Sequence, residues 1–251
     1  MTNNTVDGAP PRRHDESRHA AKKTAGWKLF LRDLLVIVVA AIFISFMIKT
    51  FLVRSFYIPS SSMENTLQID DRILVNQLEP AIFPVDHGDV VVFTDPGGWL
   101  PAISQEPQNW FVGAVDGVLA FVGLSAPDSS NHLIKRVIGL PGDTVECCNE
   151  FGQLIVNGIP LEEPYIKLPD AVTKATENDF SVTVPDDSIW VMGDNRYNSA
   201  DSAFHKDDPT GGFVKMDSVV GRAFLISWPT DRWSVLDNYP TTFQRVTQNA
   251  E

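Results

Sequence analysis

Three short stretches of this chain carry residue types that could together hydrolyse a peptide bond. The first, Ile58-Pro59-Ser60-Ser61-Ser62-Met63-Glu64-Asn65-Thr66-Leu67, is a serine cluster behind a proline. The second, Leu133-Ile134-Lys135-Arg136-Val137-Ile138-Gly139-Leu140-Pro141-Gly142-Asp143, sets a lysine in an apolar run 73 residues after Ser62. The third is Val191-Met192-Gly193-Asp194-Asn195-Arg196-Tyr197-Asn198-Ser199-Ala200-Asp201-Ser202. A serine hydroxyl is a poor nucleophile until a neighbouring base takes its proton. Histidine is the usual base, but beyond residue 54 only His87, His132 and His205 are available, none in a triad-like setting. Lysine can serve if it is neutral, which at an ordinary pKa of about 10.4 holds for roughly one molecule in 2,500 at pH 7. Burial in an apolar strand penalises the ammonium and can lower that pKa by several units. Strand alternation sends Lys135 and Arg136 to opposite faces, so that one can be buried while the other is not. Taken singly, a serine cluster is usually a solvated turn, and a strand lysine often guards a sheet edge. Their company is what points to catalysis.

The elements that must position these residues are mostly strands. Arg72–Asn76, Asp89–Phe93, Leu133–Ile138, Gln153–Val156, Ser188–Met192 and Val219–Ser227 are short β-branched or aromatic runs bounded by Gly, Pro and Asp turns. This spacing predicts a mainly antiparallel β domain. Asn157-Gly158 predicts a hairpin turn within a small β subdomain between the second and third blocks. Residues 95–131 break the rhythm as an insertion, in which Trp110–Leu124 is apolar but interrupted by Asp116. Fifteen residues with a central carboxylate are too short and too costly for a membrane span, so an insertion helix or a surface segment leaning on a bilayer is expected.

The chain has 251 residues and a net charge of −12, unevenly spread. Residues 1–54 hold nine Lys/Arg against four Asp/Glu, and the remainder holds 11 against 28. An acidic body excludes a basic nucleic-acid footprint. Between the two lies Leu34–Ile48, an uncharged run of 15 residues, which extends over 27–53 to a length that crosses a bilayer. Trp27, Lys28, Arg32 and Lys49 suit the interface at its ends. Seven Lys/Arg precede Asp33, so the positive-inside rule puts the N-terminus in the cytoplasm and the acidic body outside. A cleavable signal peptide fits poorly, because Lys49-Thr50-Phe51-Leu52 offers no small-x-small site.

With Gly88-Asp89-Val90-Val91-Val92-Phe93, the three blocks resemble those of the type I bacterial signal peptidases, the serine–lysine enzymes of peptidase family S26. These are membrane-anchored serine proteases that remove signal peptides from exported proteins. The resemblance implies Ser62 as nucleophile and Lys135 as general base, a variant of the triad logic. It implies an oxyanion site from the Ser62 N–H and the Ser60 hydroxyl. It assigns Ser199 to orienting the lysine, and Asp194, Arg136 and Asp201 to support. It implies Ile58, Met63, Leu67, Leu133 and Ile134 as walls of shallow pockets that admit small residues at the first and third positions before the cut. The peptide would add as a strand. Three positions depart from the family pattern. Asn65 stands for a common proline, Tyr197 for a common aspartate, and Ala203 for an arginine that pairs with the aspartate matching Asp201. Arg136 or Arg196 could take that arginine's place.

The expected organisation is a cytoplasmic basic tail over 1–26, disordered by composition, and a single transmembrane anchor over 27–53. Beyond it comes an extracytoplasmic catalytic β core in two parts, 54–145 with the 95–131 insertion and 188–251, around a small β subdomain at 146–187. Expected partners are signal peptides of preproteins, the lipid bilayer and nearby export machinery, with no nucleic acid, metal or cofactor. Cys147 and Cys148 are adjacent, and either a vicinal bridge or two thiols fits an extracytoplasmic site. Two alternatives share the anchor: a maturation or self-cleaving peptidase with another substrate, and a noncatalytic β module binding exported proteins or cell-wall components.

Overall fold

The structure, a computed structural model, describes residues 17–100 and 131–249. The expected features of Trp110–Leu124 lie outside the described residues. Helix α1 runs Ser17–Phe51. Its stretch Gly26–Ile48, 23 residues of mean hydropathy 2.5 with nothing packed on it, is long and apolar enough to cross a membrane. Two boundaries differ from the sequence expectation. The helix begins ten residues before Trp27, because the Ala- and Lys-rich segment ahead of it has high helix propensity. It also ends before Val53, the first residue of a strand.

The chain divides into two units at Met47 and Ile48. The second unit is built on strands β1 (Val53–Tyr57), β2 (Arg72–Asn76), β3 (Val90–Thr94), β4 (His132–Gly139), β5 (Thr144–Cys147), β6 (Leu154–Val156), β7 (Ile159–Pro160), β8 (Phe180–Thr183), β9 (Ser188–Met192), β10 (Val214–Lys215), β11 (Val219–Trp228) and β12 (Ser234–Val235), closed by helix α2 (Pro240–Asn249). An antiparallel sheet runs β1-β2-β11-β3-β4-β9-β10, with β12 paired to β11. A smaller antiparallel sheet, β7-β6-β5-β8, follows directly from β4 through the Pro141-Gly142 turn. Asn157 and Gly158, at φ 52° and 77°, make the tight turn between β6 and β7.

Strand β4 is the centre of the site because it is covered on both faces. Its neighbours are β3, where Val91 pairs with Lys135 and Val90 with Arg136, and β9, where Met192 pairs with Arg136. Two apolar clusters flank it. Ile134 packs with Phe56, Ile58, Met63, Leu67, Val90 and Val92, and Leu133 and Val137 pack with Val91, Phe93 and Val191. A third cluster joins the small sheet to Ile138, Trp190 and the α2 residues Phe243 and Val246. The small sheet is therefore fastened to the large one through a shared apolar layer.

Candidate active site

The serine loop leaves β1 and folds into a turn held by its own backbone. Leu67 N–H donates to the Met63 carbonyl at 2.8 Å, and Glu64 N–H to the Ser61 carbonyl at 3.1 Å. Met63 and Leu67, with no exposed surface, plug the turn into the core. Asn65 sits at φ 103°, a conformation closed to proline, and donates its side-chain amide to the Tyr165 and Ile166 carbonyls. The residue that replaces the common proline is thus a tie to the loop before residue 167.

A second set of bonds comes from the loop after β9. Asn195 N–H donates to the Ser62 carbonyl at 3.0 Å, and its side chain to the Ser61 carbonyl at 3.1 Å. Asn198 donates to the Ser61 hydroxyl at 2.7 Å. Gly193 makes this approach possible. A Cβ there would stand 2.3 Å from Ser199 Oγ and 2.6 Å from the Ser62 carbonyl oxygen.

Between the serine turn and the β9 loop lies Lys135, 3% exposed. Its Nζ is 2.8 Å from Ser62 Oγ and donates to the Ile134 carbonyl at 3.0 Å. Burial pulls its pKa from 10.5 to about 8, against the opposing pull of the Asp201 and Asp194 carboxylates. At pH 7 such an amine is neutral in roughly one molecule in ten. Ser62 is itself buried, and Ser60 Oγ lies 3.4 Å from Ser62 Oγ. A buried serine hydroxyl in contact with an easily neutralised amine is an activated nucleophile.

A family model described as signal peptidase, peptidase S26, matches residues 31–228. The chain belongs to that family. It is 39% identical over 239 residues to signal peptidase I of Mycobacterium tuberculosis, covering 88% of this chain and 79% of that one. It is 36% identical over 194 residues to signal peptidase I of Leptolyngbya laminosa, covering 77% and 78%. Signal peptidase I of Pseudomonas aeruginosa is 32% identical over 227 residues, covering 79% and 73%. As a signal peptidase family member the chain is a serine endopeptidase, a hydrolase.

Around the Ser62–Lys135 contact of this signal peptidase stands a buried ionic frame. The expectation that one of Lys135 and Arg136 faces water fails, because both faces of β4 are covered and Arg136 is fully buried. Its guanidinium grips Asp194 with two bonds of 2.9 and 2.7 Å, donates to the Gly88 and Asp237 carbonyls, and lies 4.2 Å from the Tyr165 ring. Those interactions hold it charged against the cost of burial. Thr66 donates its hydroxyl to Asp194, tying the serine turn to the same carboxylate. Glu163 takes Arg196. Neither arginine replaces the missing partner of Asp201, whose carboxylate accepts instead from the Gly193 and Ala203 N–H groups at 2.9 and 3.1 Å. Burial raises the Asp201 pKa above the ordinary carboxylate range.

Ser199 reaches this centre but not in the expected role. Its hydroxyl, buried against Gly193, faces Asp201 without a well-formed hydrogen bond and has no bond to Lys135. The amine's second contact is the Ile134 carbonyl. Of the expected pocket residues, Ile58, Met63, Leu67 and Ile134 share one cluster, whereas Leu133 lies in the other. This is the alternation of β4 acting on adjacent residues.

Sequence reasoning missed Thr66, Glu163, Tyr165 and Tyr239, which no motif marked. His87 bonds Asp143 and His205 bonds Asp208. Cys147 and Cys148 are joined as a disulfide. Among the described residues no cluster of His, Cys, Asp and Glu could hold a metal ion.

Proposed function

We propose that this chain is a membrane-anchored signal peptidase I that removes signal peptides from exported preproteins through a Ser62–Lys135 dyad. The observation that carries the reading is the 2.8 Å contact between Lys135 Nζ and Ser62 Oγ in a buried site where the amine titrates near 8. The neutral amine takes the Ser62 proton as Oγ attacks the scissile carbonyl carbon. The resulting ammonium returns that proton to the departing amine nitrogen, leaving the signal peptide as an ester on Ser62. Lys135 then deprotonates a water that attacks the ester, and the proton passes to Ser62 Oγ as the carboxylate leaves. The Ser62 N–H and the Ser60 hydroxyl are the donors for the oxyanion in both halves. Ser199 and Asp201 pack behind the amine, and the Arg136–Asp194 pair keeps β4 and the β9 loop together.

Small residues at the first and third positions before the cut are selected by a shallow apolar wall. Ile58 and Ile134 face the substrate strand, Met63 and Leu67 form the floor behind them, and Leu133 supports β4 from its other face. The segment 1–26 lies in the cytoplasm, the anchor spans once, and the body with its 146–187 subdomain and 95–131 insertion works outside, near the export machinery. Charge asymmetry across the apolar run supports that orientation.

The test is cleavage of a defined preprotein by the full-length enzyme, with the cut position read by mass spectrometry. A cut after a small-x-small motif, lost in both Ser62→Ala and Lys135→Ala, is expected. Full activity of Lys135→Ala at neutral pH overturns the dyad. Cysteine labelling of positions near 70 and 150 from the outer face tests the orientation, and opposite faces for the two would defeat it.

A further inference from the structure

A cleft of about 380 Å³ opens on the far side of the loop that carries Ser199 and Asp201. Its volume falls within the range of small-molecule sites, about 300–1,000 Å³. One wall is the 176–178 segment before β8, and the other is the 196–204 segment after β9. Three features give it a chemical character. Asp201, 2% exposed, contributes a carboxylate that accepts two backbone N–H groups and has no cation within ion-pair distance among the described residues. Glu177 adds a second carboxylate, and the one basic residue in the lining, Arg196, spends its guanidinium on Glu163. Tyr197 and Phe204, the latter 72% exposed, supply aromatic surface of the kind that receives cations.

We infer that this cleft binds a small organic cation of the guanidinium or primary-ammonium class against Asp201, and that the bound charge favours the neutral amine of Lys135. The inference rests on the reading of Lys135 as the general base. Two carboxylates act on that amine, Asp201 more strongly than Asp194, and both hold the proton on it. Asp194 is already neutralised by Arg136, and Arg196 by its own partner Glu163, so Asp201 is the free lever. A cation beside Asp201 cancels the field that supports the ammonium and repels the ammonium directly. Both effects have the same sign. They lower the pH at which Lys135 becomes a base, so the acid limb of the rate profile moves down.

The experiment uses the full-length enzyme in detergent, a defined preprotein, and agmatine or methylguanidinium as the probe. Potassium and tetramethylammonium at equal ionic strength serve as controls. The expected result is a saturable shift of the acid limb to lower pH by about half a unit to one unit. Well below the limb this is roughly a threefold to tenfold gain in rate. Neither control cation should produce it, and calorimetry should show one site. Ala203→Leu, which fills the cleft, and the exposed Glu177→Gln should each reduce the shift when compared with their own probe-free profiles. A limb unmoved by probe in an enzyme whose Lys135→Ala variant is inactive overturns this inference and leaves the dyad standing. An active Lys135→Ala variant would instead remove the dyad. A shift of equal size in both cleft variants, or in tetramethylammonium, also overturns it, as does simple competition with the preprotein at an unmoved limb.

Discussion

Replacing Lys135 by methionine should abolish catalysis and make the protein more stable at neutral pH. The side chains are of similar length, so the buried volume is kept while the charge is removed. The Lys135 pKa falls from 10.5 to about 8, a change of 2.5. At about 1.4 kcal/mol per unit, burying the ammonium costs roughly 3 kcal/mol. Losing the donor to the Ile134 carbonyl takes back about 1 kcal/mol. The net gain of about 2 kcal/mol corresponds to a rise of roughly 4–8 °C in Tm for a body of this size. The pH dependence has a definite sign. Below pH 8 the folded amine is charged and the whole penalty is present. Between 8 and 10.5 the folded amine is neutral while the unfolded one still holds its proton, so wild-type stability climbs with pH. The advantage of Lys135→Met must therefore be full below pH 8 and shrink above it. Thermal unfolding of both proteins in the same detergent, from pH 6 to pH 10, measures this. A variant less stable than wild type at pH 6.5, or an advantage that grows with pH, would refute the claim that Lys135 is buried at a cost.

The pH profile of kcat/KM should show a single acid limb near 8, rising with pH, and Asp201→Asn should move that limb down because the carboxylate supports the ammonium. Gly193→Ala must push the Ser62 carbonyl from 2.6 Å to an ordinary contact near 3.4 Å and displace Ser199 further. A misplacement of this size should cost about 100-fold in kcat, and wild-type turnover with unchanged Tm would count against the geometry. Asp194→Asn leaves the buried Arg136 guanidinium without its counter-charge. It should destabilise the fold by about 3–5 kcal/mol, seen as a lower denaturant midpoint.

The parts of this fold that were legible in the chain are those set by local pattern. Arg72–Asn76 and Ser188–Met192 form strands with the expected bounds, since β-branched runs between turn residues leave few other conformations. Strand β1 was hidden because Val53 continues an apolar run, and hydropathy does not mark where a helix turns into a strand. The site divides in the same way. Ser62 and Lys135 stand in recognisable blocks, whereas the state of Lys135 depends on what covers both faces of β4. Alternation alone sends Arg136 to the side opposite Lys135 and leaves open whether water meets it there. The cover comes from Tyr165 and Tyr239, distant in the chain, and the counter-charge from Asp194. The two neighbours are therefore coupled. An unpaired guanidinium at 136 would draw that face of the strand toward solvent, and hydrated surroundings would return Lys135 to an ordinary, protonated lysine. On this account the Arg136–Asp194 pair takes no part in the proton transfers, yet it is the condition under which the adjacent amine can be a base.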